Sequence, residues 1–319
     1  MNARTLLLDM KEDDLRCEDA FHSALPGAQL INWDNPDNRN ADLSAVNYAV
    51  VWGPEPGLLA QCPELKVIFS VGAGVDHIMR DASVPDLPIV RFVDAKLTGP
   101  MVEWVTMQVL MHLRQQRHYD AAQSAREWRE LPQPPATDFR VGIMGFGELG
   151  QACAKVLQAL GFQLNGWSQS PKSVEGVQSY NGKAELDAFL QSTDILICLL
   201  PFTPDTAGIL NNDLIAELSK DGPFGAPILI NAGRGRCQVE TDILQALNDG
   251  GLKGASLDVF ETEPLPASSP LWHQDNLFIT PHAAAVSDMA ALANHVAGQI
   301  ERFEAGKDLQ FLVDRQRGY

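Results

Sequence analysis

Short apolar runs recur along the chain, and each is followed by a stretch in which apolar residues return at helical spacing. TLLLD, AQLIN, YAVVWG, LKVIFS and PIVRF predict strands in the first part of the chain, separated by segments such as EDAFHSAL and PEPGLLAQC that suit helices. Runs that are apolar almost throughout are what parallel strands covered on both faces require. After DAKLTG, a long helical pattern extends from about Met101 towards Trp128 without an internal glycine or proline, and the proline-rich LPQPPATDF stops it. A second alternating series follows in RVGIMG, FQLNGW, DILICLL, PILINAG, GASLDVF and LFITPH, before a final amphipathic helix over DMAALANHVAGQIERFEAG. Strictly alternating strand and helix predicts an α/β protein built on doubly wound parallel sheets. There is no fixed-period repeat and no low-complexity tract.

The second series carries the punctuated motifs. Gly145-x-Gly147-x-x-Gly150 directly follows a predicted strand and directly opens a predicted helix, with Phe146, Glu148 and Leu149 filling the loop. In that setting Gly145 makes the tight turn, Gly147 lets backbone approach a pyrophosphate, and Gly150 lets helix and strand pack closely. The pyrophosphate would rest on the helix N-terminus, where unpaired N–H groups and the helix dipole favour negative charge. The next strand, FQLNGW, should end in an acid if the ribose carries a free 2′-hydroxyl. Instead the chain reads Ser168, Gln169, Ser170, Pro171 and Lys172, with no carboxylate before Glu175. Hydroxyls, an amide and an ammonium suit a 2′-phosphate that an acid would repel; the same residues also suit a plain turn.

Three polar residues stand at the carboxyl ends of three further strands: Arg234 after PILINAG, Glu263 after GASLDVFET, and His282 after LFITP. Open α/β sheets bind ligands at that end. A glutamate and an arginine can converge on His282, whereas His22, His77, His112, His118, His273 and His295 are taken as structural by default.

The chain has 319 residues, enough for two domains, and 45 % of them are hydrophobic and 20 % charged, as in an ordinary globular protein. A formal net charge of −17 argues against nucleic acid and anionic membrane surfaces as partners. It leaves room for an anionic substrate, because a local arginine can override the global field. Cys17, Cys62, Cys153, Cys198 and Cys237 are scattered without metal-ligand spacing, so no metal is expected and reduced core thiols are. The N-terminus has no signal-peptide pattern and no run spans a bilayer, so the expected compartment is the cytoplasm.

The Gly145–Gly150 loop, NAGRG with Arg234, LDVFETEPLP with Glu263 and ITPHAAA with His282, in that order, resemble the D-isomer-specific 2-hydroxyacid dehydrogenase family from end to end. SVGAGVDHI and the terminal VDRQRGY further resemble its bacterial glyoxylate/hydroxypyruvate reductase branch. The resemblance implies two doubly wound (Rossmann-like and flavodoxin-like) domains with a cleft between them. Residues 1–98 with 283–319 would form the substrate-binding domain, and residues 99–282 the dinucleotide-binding domain. It implies reduction of a small 2-oxo acid by NADP(H), preferred over NAD(H), with His282 as general acid, Glu263 orienting it and Arg234 on the substrate carboxylate. Asp258 would bond the nicotinamide carboxamide and Pro201 would border the adenine. The backbone of Ala73, Gly74 and Val75 would hold the carboxylate, and Trp52 would wall the pocket, although ordinary packing explains Trp52 equally well. The long helix and the proline-rich segment would form a homodimer, with Trp128 at the neighbouring subunit. Two alternatives stand beside this reading: an NAD-dependent oxidation of another D-2-hydroxy acid, and a dinucleotide-sensing protein on the same scaffold.

Overall fold

The computed structural model describes residues 4–11, 16–315 and 318, so positions 316, 317 and 319 of the terminal VDRQRGY lie outside the described residues. The chain divides into two compact units, Met1–Leu97 with Val286–Tyr319, and Thr98–Ala285. The first unit begins with β1 (Thr5–Asp9), α1 (Arg16–Ala24), β2 (Gln29–Asn32), β3 (Tyr48–Val51), β4 (Val67–Ser70), α2 (Asp76–Met79) and β5 (Ile89–Val90). Helix α3 (Ala95–Leu113) leads into the second unit. That unit contains α4 (Gln116–Ala125), β6 (Arg140–Met144), α5 (Glu148–Ala159), β7 (Gln163–Ser168), β8 (Val177–Asn181), α6 (Leu186–Gln191), β9 (Ile195–Cys198), α7 (Asn212–Glu217), β10 (Ile228–Asn231), α8 (Glu240–Asp249), β11 (Gly254–Leu257) and β12 (Leu277–Ile279). The chain then returns to the first unit as α9 (Met289–Glu304).

Both sheets are parallel. The first has the order β2-β1-β3-β4-β5 and the second β12-β11-β10-β9-β6-β7-β8. In the second sheet the winding reverses between β6 and β9, and such a switch point leaves the crevice where doubly wound sheets take ligands. Its strands are apolar on both sides for a visible reason. Ile195, Ile197, Ile228 and Ile230 pack into one core with Val105 and Leu157, whereas Leu196, Cys198 and Leu229 pack into another with Leu214 and Leu247. In the first unit the C-terminal segment runs antiparallel to β5: Arg91 N–H donates to Phe311 O (3.0 Å) and Val313 N–H to Ile89 O (2.9 Å). Among the described residues no helix is long and apolar enough to cross a membrane.

Three expectations change. The long helix starts earlier, at Ala95, taking Pro100 into its interior, and it does not reach Trp128. It breaks at Gln115, whose φ of 55° is left-handed, and resumes as α4. Past Leu113 the polar stretch RQQR offers no apolar residue to continue the buried stripe, while Arg117 lays its guanidinium over Phe278 (4.1 Å) and donates to Leu277 O (2.7 Å). PEPGLLAQC forms only a 3-10 turn at Leu59–Gln61. Strand β8 gave no apolar signal because it is a partly exposed edge strand of mostly polar residues, VQSYN.

The amino end of the second sheet is tied by Arg140, which pairs with both Asp194 and Asp221. The buried Asp194 carboxylate accepts from Arg140 N (2.8 Å), Nε (3.0 Å) and Nη2 (2.7 Å), joining the starts of β6 and β9, and the same guanidinium reaches Ser219 Oγ (2.6 Å). Asp194→Ala strands the Arg140 N–H and leaves the guanidinium only Asp221 and Ser219, so it should lower stability in urea denaturation by about 2–3 kcal/mol. A loss below about 0.5 kcal/mol, the size of an exposed pair, would contradict this account.

Candidate active site

Arg234 owes its position to a buried amide three residues before it. Asn231, fully buried at the end of β10, accepts from Gly233 N (3.0 Å) and donates to Gln238 Oε1 (2.8 Å) and Arg234 O (3.2 Å). Gln238 in turn donates to Val259 O (2.9 Å), tying the turn to the loop after β11. The two glycines flanking Arg234 answer to space. A Cβ on Gly233 would lie 2.7 Å from Leu200 O, and one on Gly235 would enter the Phe260 backbone. Arg234 is therefore the one residue of GRG that can carry a side chain, and it does so from extended backbone (φ −139°, ψ 139°), with Nη1 donating to Gly233 O (2.8 Å).

Glu263 and His282 form a pair in the same unit. Nδ1 of His282 stands 2.7 Å from Glu263 Oε2, and Glu263 Oε1 accepts from Phe260 N (2.9 Å). Burial would push the Glu263 carboxyl up, but the His282 hydrogen bond, the Phe260 N–H and the charge of Arg234 together hold it below its ordinary value. An ionised Glu263 can only accept, so Nδ1 carries a proton and the ring presents Nε2 at its far edge.

His282 itself sits in a left-handed backbone conformation, φ 53°, which a β-carbon disfavours. The strain is held by Asp258. His282 N–H donates to Asp258 O (2.7 Å), Ala283 N–H to Asp258 Oδ1 (2.9 Å), Ala284 N–H to Asp258 Oδ2 (3.0 Å), and Thr280 Oγ1 to Asp258 Oδ1 (2.5 Å). Trp104 Nε1 completes the chain by donating to Thr280 Oγ1 (3.1 Å). The Asp258 carboxylate is 1 % exposed, so both its oxygens face this loop. LDVFE and ITPHAAA are visible as motifs, but nothing in them signals that the aspartate organises the histidine's backbone.

At the switch point, the Gly145–Gly150 loop turns from β6 into α5. Gly145 has φ +100°, and Gly150 could not carry a Cβ, which would stand 2.6 Å from Gly145 O. Phe146 turns its ring into the core beneath Gly166 and donates its N–H to Trp167 O (3.1 Å), supporting the loop from below. Gly147 differs from the other two. Its φ of −86° is open to any residue, and a Cβ there would meet nothing within 4 Å. Neither backbone nor packing requires this glycine, so the open space beside it, at the first turn of a twelve-residue helix, fits a dinucleotide pyrophosphate. The N–H groups of Glu148, Leu149 and Gly150 belong to that first turn, where α-helices leave donors unpaired. Pro201 follows β9 across the switch point, its carbonyl accepting from Thr206 Oγ1 (2.8 Å). Beyond β7, Gln169, Ser170 and Lys172 are exposed, and the Ser168 hydroxyl donates to Ser170 O (2.7 Å), leaving its lone pairs rather than its proton outward.

In the first unit, Trp52 follows β3 and Ala73, Gly74 and Val75 follow β4. The indole packs against Gly72, whose Cβ would come 3.1 Å from Cζ3, and its ring centroid is 4.2 Å from that of His77. All five cysteines are buried, and burial pushes Cys62 up to about 11 and Cys153 to about 12, so these thiols stay protonated and inert. His112, pushed down to about 4 by burial and bonded to Ser256 Oγ (2.9 Å), is a neutral core residue.

A glycine loop at the switch point, with a histidine–carboxylate pair and an arginine at the carboxyl ends of neighbouring strands, is an arrangement that suits a dehydrogenase of the doubly wound class. The chain belongs to the D-isomer-specific 2-hydroxyacid dehydrogenase family: residues 106–284 match the model of that family's NAD binding domain. Glyoxylate/hydroxypyruvate reductase A of Klebsiella pneumoniae is 44 % identical over 309 residues, 95 % of each chain. Among solved structures, the NADPH-dependent glyoxylate/hydroxypyruvate reductase of Sinorhizobium meliloti, in complex with NADP and sulfate, superposes with a TM-score of 0.96 at 52 % identity, covering 99 % of this chain and 100 % of that one. A probable 2-hydroxyacid dehydrogenase of Rhizobium etli, in complex with NADP, HEPES and tartaric acid, gives 0.92 at 50 % identity, covering 99 % and 100 %.

The contrast between two glycines is testable. Gly147→Ala should fold with wild-type stability and bind nicotinamide dinucleotide about tenfold or more weakly, by tryptophan-fluorescence titration, because its methyl enters the ligand's space and nothing else. Gly150→Ala should instead lose about 1–3 kcal/mol of stability. Unchanged affinity in Gly147→Ala would remove this loop from the dinucleotide site.

Proposed function

We propose that the protein reduces a small 2-oxo acid, glyoxylate or hydroxypyruvate, to the corresponding 2-hydroxy acid with NADPH as hydride donor. The observation that carries this reading is the 2.7 Å pair of His282 and Glu263 with the Arg234 guanidinium acting on it. Similarity over 95 % of the chain to a glyoxylate/hydroxypyruvate reductase, and over 99 % to one solved with NADP, supports the substrate class and the cofactor. The absence of an acid between Ser168 and Lys172 favours a 2′-phosphate, with Ser168, Gln169, Ser170 and Lys172 around it.

When bound, the dihydronicotinamide supplies a hydride to C2 of the 2-oxo acid. His282 delivers the proton from Nε2 to the carbonyl oxygen, and the ionised Glu263 holds Nδ1–H and stabilises the imidazolium that the step consumes. Arg234 binds the substrate carboxylate and polarises the carbonyl, a task for a planar, always-charged fork. Asp258 keeps His282 in register and bonds the nicotinamide carboxamide, and Pro201 borders the adenine. Ala73, Gly74 and Val75 offer backbone N–H groups to the carboxylate, and Trp52 walls the substrate pocket. On this reading residues 99–282 form the dinucleotide-binding domain, and residues 1–98 with 283–319 form the substrate-binding domain. The enzyme works in the cytoplasm as a homodimer. Trp128, 97 % exposed, and Met107 and Leu160, both close to half exposed, supply apolar surface for a second copy.

The test is a panel of glyoxylate and hydroxypyruvate against NADPH and NADH. NADPH should give the higher kcat/KM. His282→Ala should keep cofactor binding and lose about 10²–10⁴ in kcat, the worth of a general acid. Arg234→Ala should raise KM and lower kcat together. Binding of NADPH without turnover of either acid would point to a sensor, and near-normal rates in His282→Ala would remove the acid assignment.

A further inference from the structure

His77 looked structural in the sequence, yet it stands where two loops of the first unit meet. It is buried, and its two ring nitrogens meet two backbone groups and one side-chain hydroxyl. Nδ1 accepts from Gly53 N–H (3.0 Å), the residue after Trp52. Nε2 lies 3.2 Å from Ser70 Oγ and 3.1 Å from Gly74 O. The Ser70 hydroxyl donates to the same Gly74 carbonyl (2.9 Å) and accepts weakly from Gly72 N–H (3.4 Å).

These bonds leave one tautomer. Gly53 N–H can only donate, so Nδ1 must be bare, and the single ring proton sits on Nε2, shared between Ser70 Oγ and Gly74 O. A proton on Nδ1 would set N–H against N–H and release Gly53. The ring therefore works as a neutral two-ended tie. One end fixes the turn that carries Trp52, and the other fixes the carbonyl of the middle residue of the Ala73–Val75 loop. The imidazole also packs against the indole, at 4.2 Å and 48° between rings, and Gly72 leaves room beside the indole's six-membered ring.

We infer that His77 is a positioning residue for the substrate carboxylate: it holds the Trp52 turn and the Ala73–Val75 loop in one fixed arrangement, so that the backbone N–H groups of that loop are aimed before substrate arrives. This rests on the reading of Ala73–Val75 and Trp52 as substrate-binding. Preorganised donors bind an anion without reordering cost, so loosening the tie weakens binding of the 2-oxo acid and leaves the dinucleotide loop, which belongs to the other unit, untouched.

The experiment is steady-state kinetics of wild type, His77→Ala, His77→Asn and His77→Gln with glyoxylate and NADPH, each variant checked by thermal unfolding. Wild type that fails to reduce glyoxylate or hydroxypyruvate defeats the proposed function before any variant is compared. With an active wild type, His77→Ala should raise KM for glyoxylate about tenfold or more, the worth of one or two lost hydrogen bonds to a charged group, and leave KM for NADPH within about twofold. His77→Asn places Oδ1 where Nδ1 was and can still receive Gly53 N–H, so it should recover part of the loss. Should His77→Ala fail to fold, His77→Gln, which keeps the donor towards Ser70 and Gly74 but not the acceptor for Gly53, should show the same selective rise. A merely structural residue would lower the active fraction, and hence apparent kcat, at constant KM. That result, or a glyoxylate KM within twofold of wild type in the variants that fold, overturns the inference.

Discussion

The buried carboxylate of Asp258 determines where the imidazole of His282 can stand. Its two oxygens gather the Thr280 hydroxyl and the N–H groups of Ala283 and Ala284, while its own carbonyl takes the N–H of His282. Four hydrogen bonds around one fully desolvated group can impose a left-handed conformation on a histidine, where a loop left to itself would relax to negative φ. A different backbone angle at position 282 would swing the ring away from Glu263 and dissolve the pair. The imidazole is thus placed by a buried aspartate on the preceding strand's loop, and Trp104 on α3 anchors the same network through Thr280.

The parallel sheet supplies the rest of the placement. Arg234, Glu263 and His282 follow β10, β11 and β12, three adjacent strands, so their loops leave the sheet side by side. The dinucleotide loop leaves from β6 and its neighbour Pro201 from β9, at the reversal of winding. The opposite end of the sheet is devoted to stability, as the Arg140–Asp194 tie shows. Close approach of backbone explains two of the glycines: Gly233 and Gly235 are small because Leu200 and Phe260 pass against them, whereas a β-carbon on Gly147 would meet nothing within 4 Å.

Most of the strands were legible because they are apolar on both faces, and the second-half strands occur where the apolar runs predicted them. Strand β8 was not, since an edge strand of polar residues has no such signature. The extent of the long helix was misread at both ends. Pro100 is tolerated inside it, and its end at Leu113 is set by tertiary contacts of Arg117 and a left-handed Gln115 that no local pattern announces. The site was legible as residue types at strand ends and in glycine loops. What stayed hidden were the side chains acting on backbone: Asn231 and Gln238 shaping the Arg234 turn, Thr280 and Asp258 shaping the His282 loop, and His77 joining two loops. A hydrogen bond from a side chain to a distant main-chain atom leaves no periodicity and no spacing rule behind.

In the proposed reaction Glu263 tunes His282 as the acid of the reduction. Glu263 is held below its ordinary value, so it stays ionised through the mildly acid and neutral range and loses its charge only at more acid pH. Reduction takes its proton from the imidazolium, and an ionised carboxylate 2.7 Å from Nδ1 favours that charged form where a neutral amide does not. The direct measurement is kcat/KM for glyoxylate against pH, wild type beside Glu263→Gln, at saturating NADPH. The account predicts that the descending limb moves to lower pH in the variant; coincident descending limbs would contradict it.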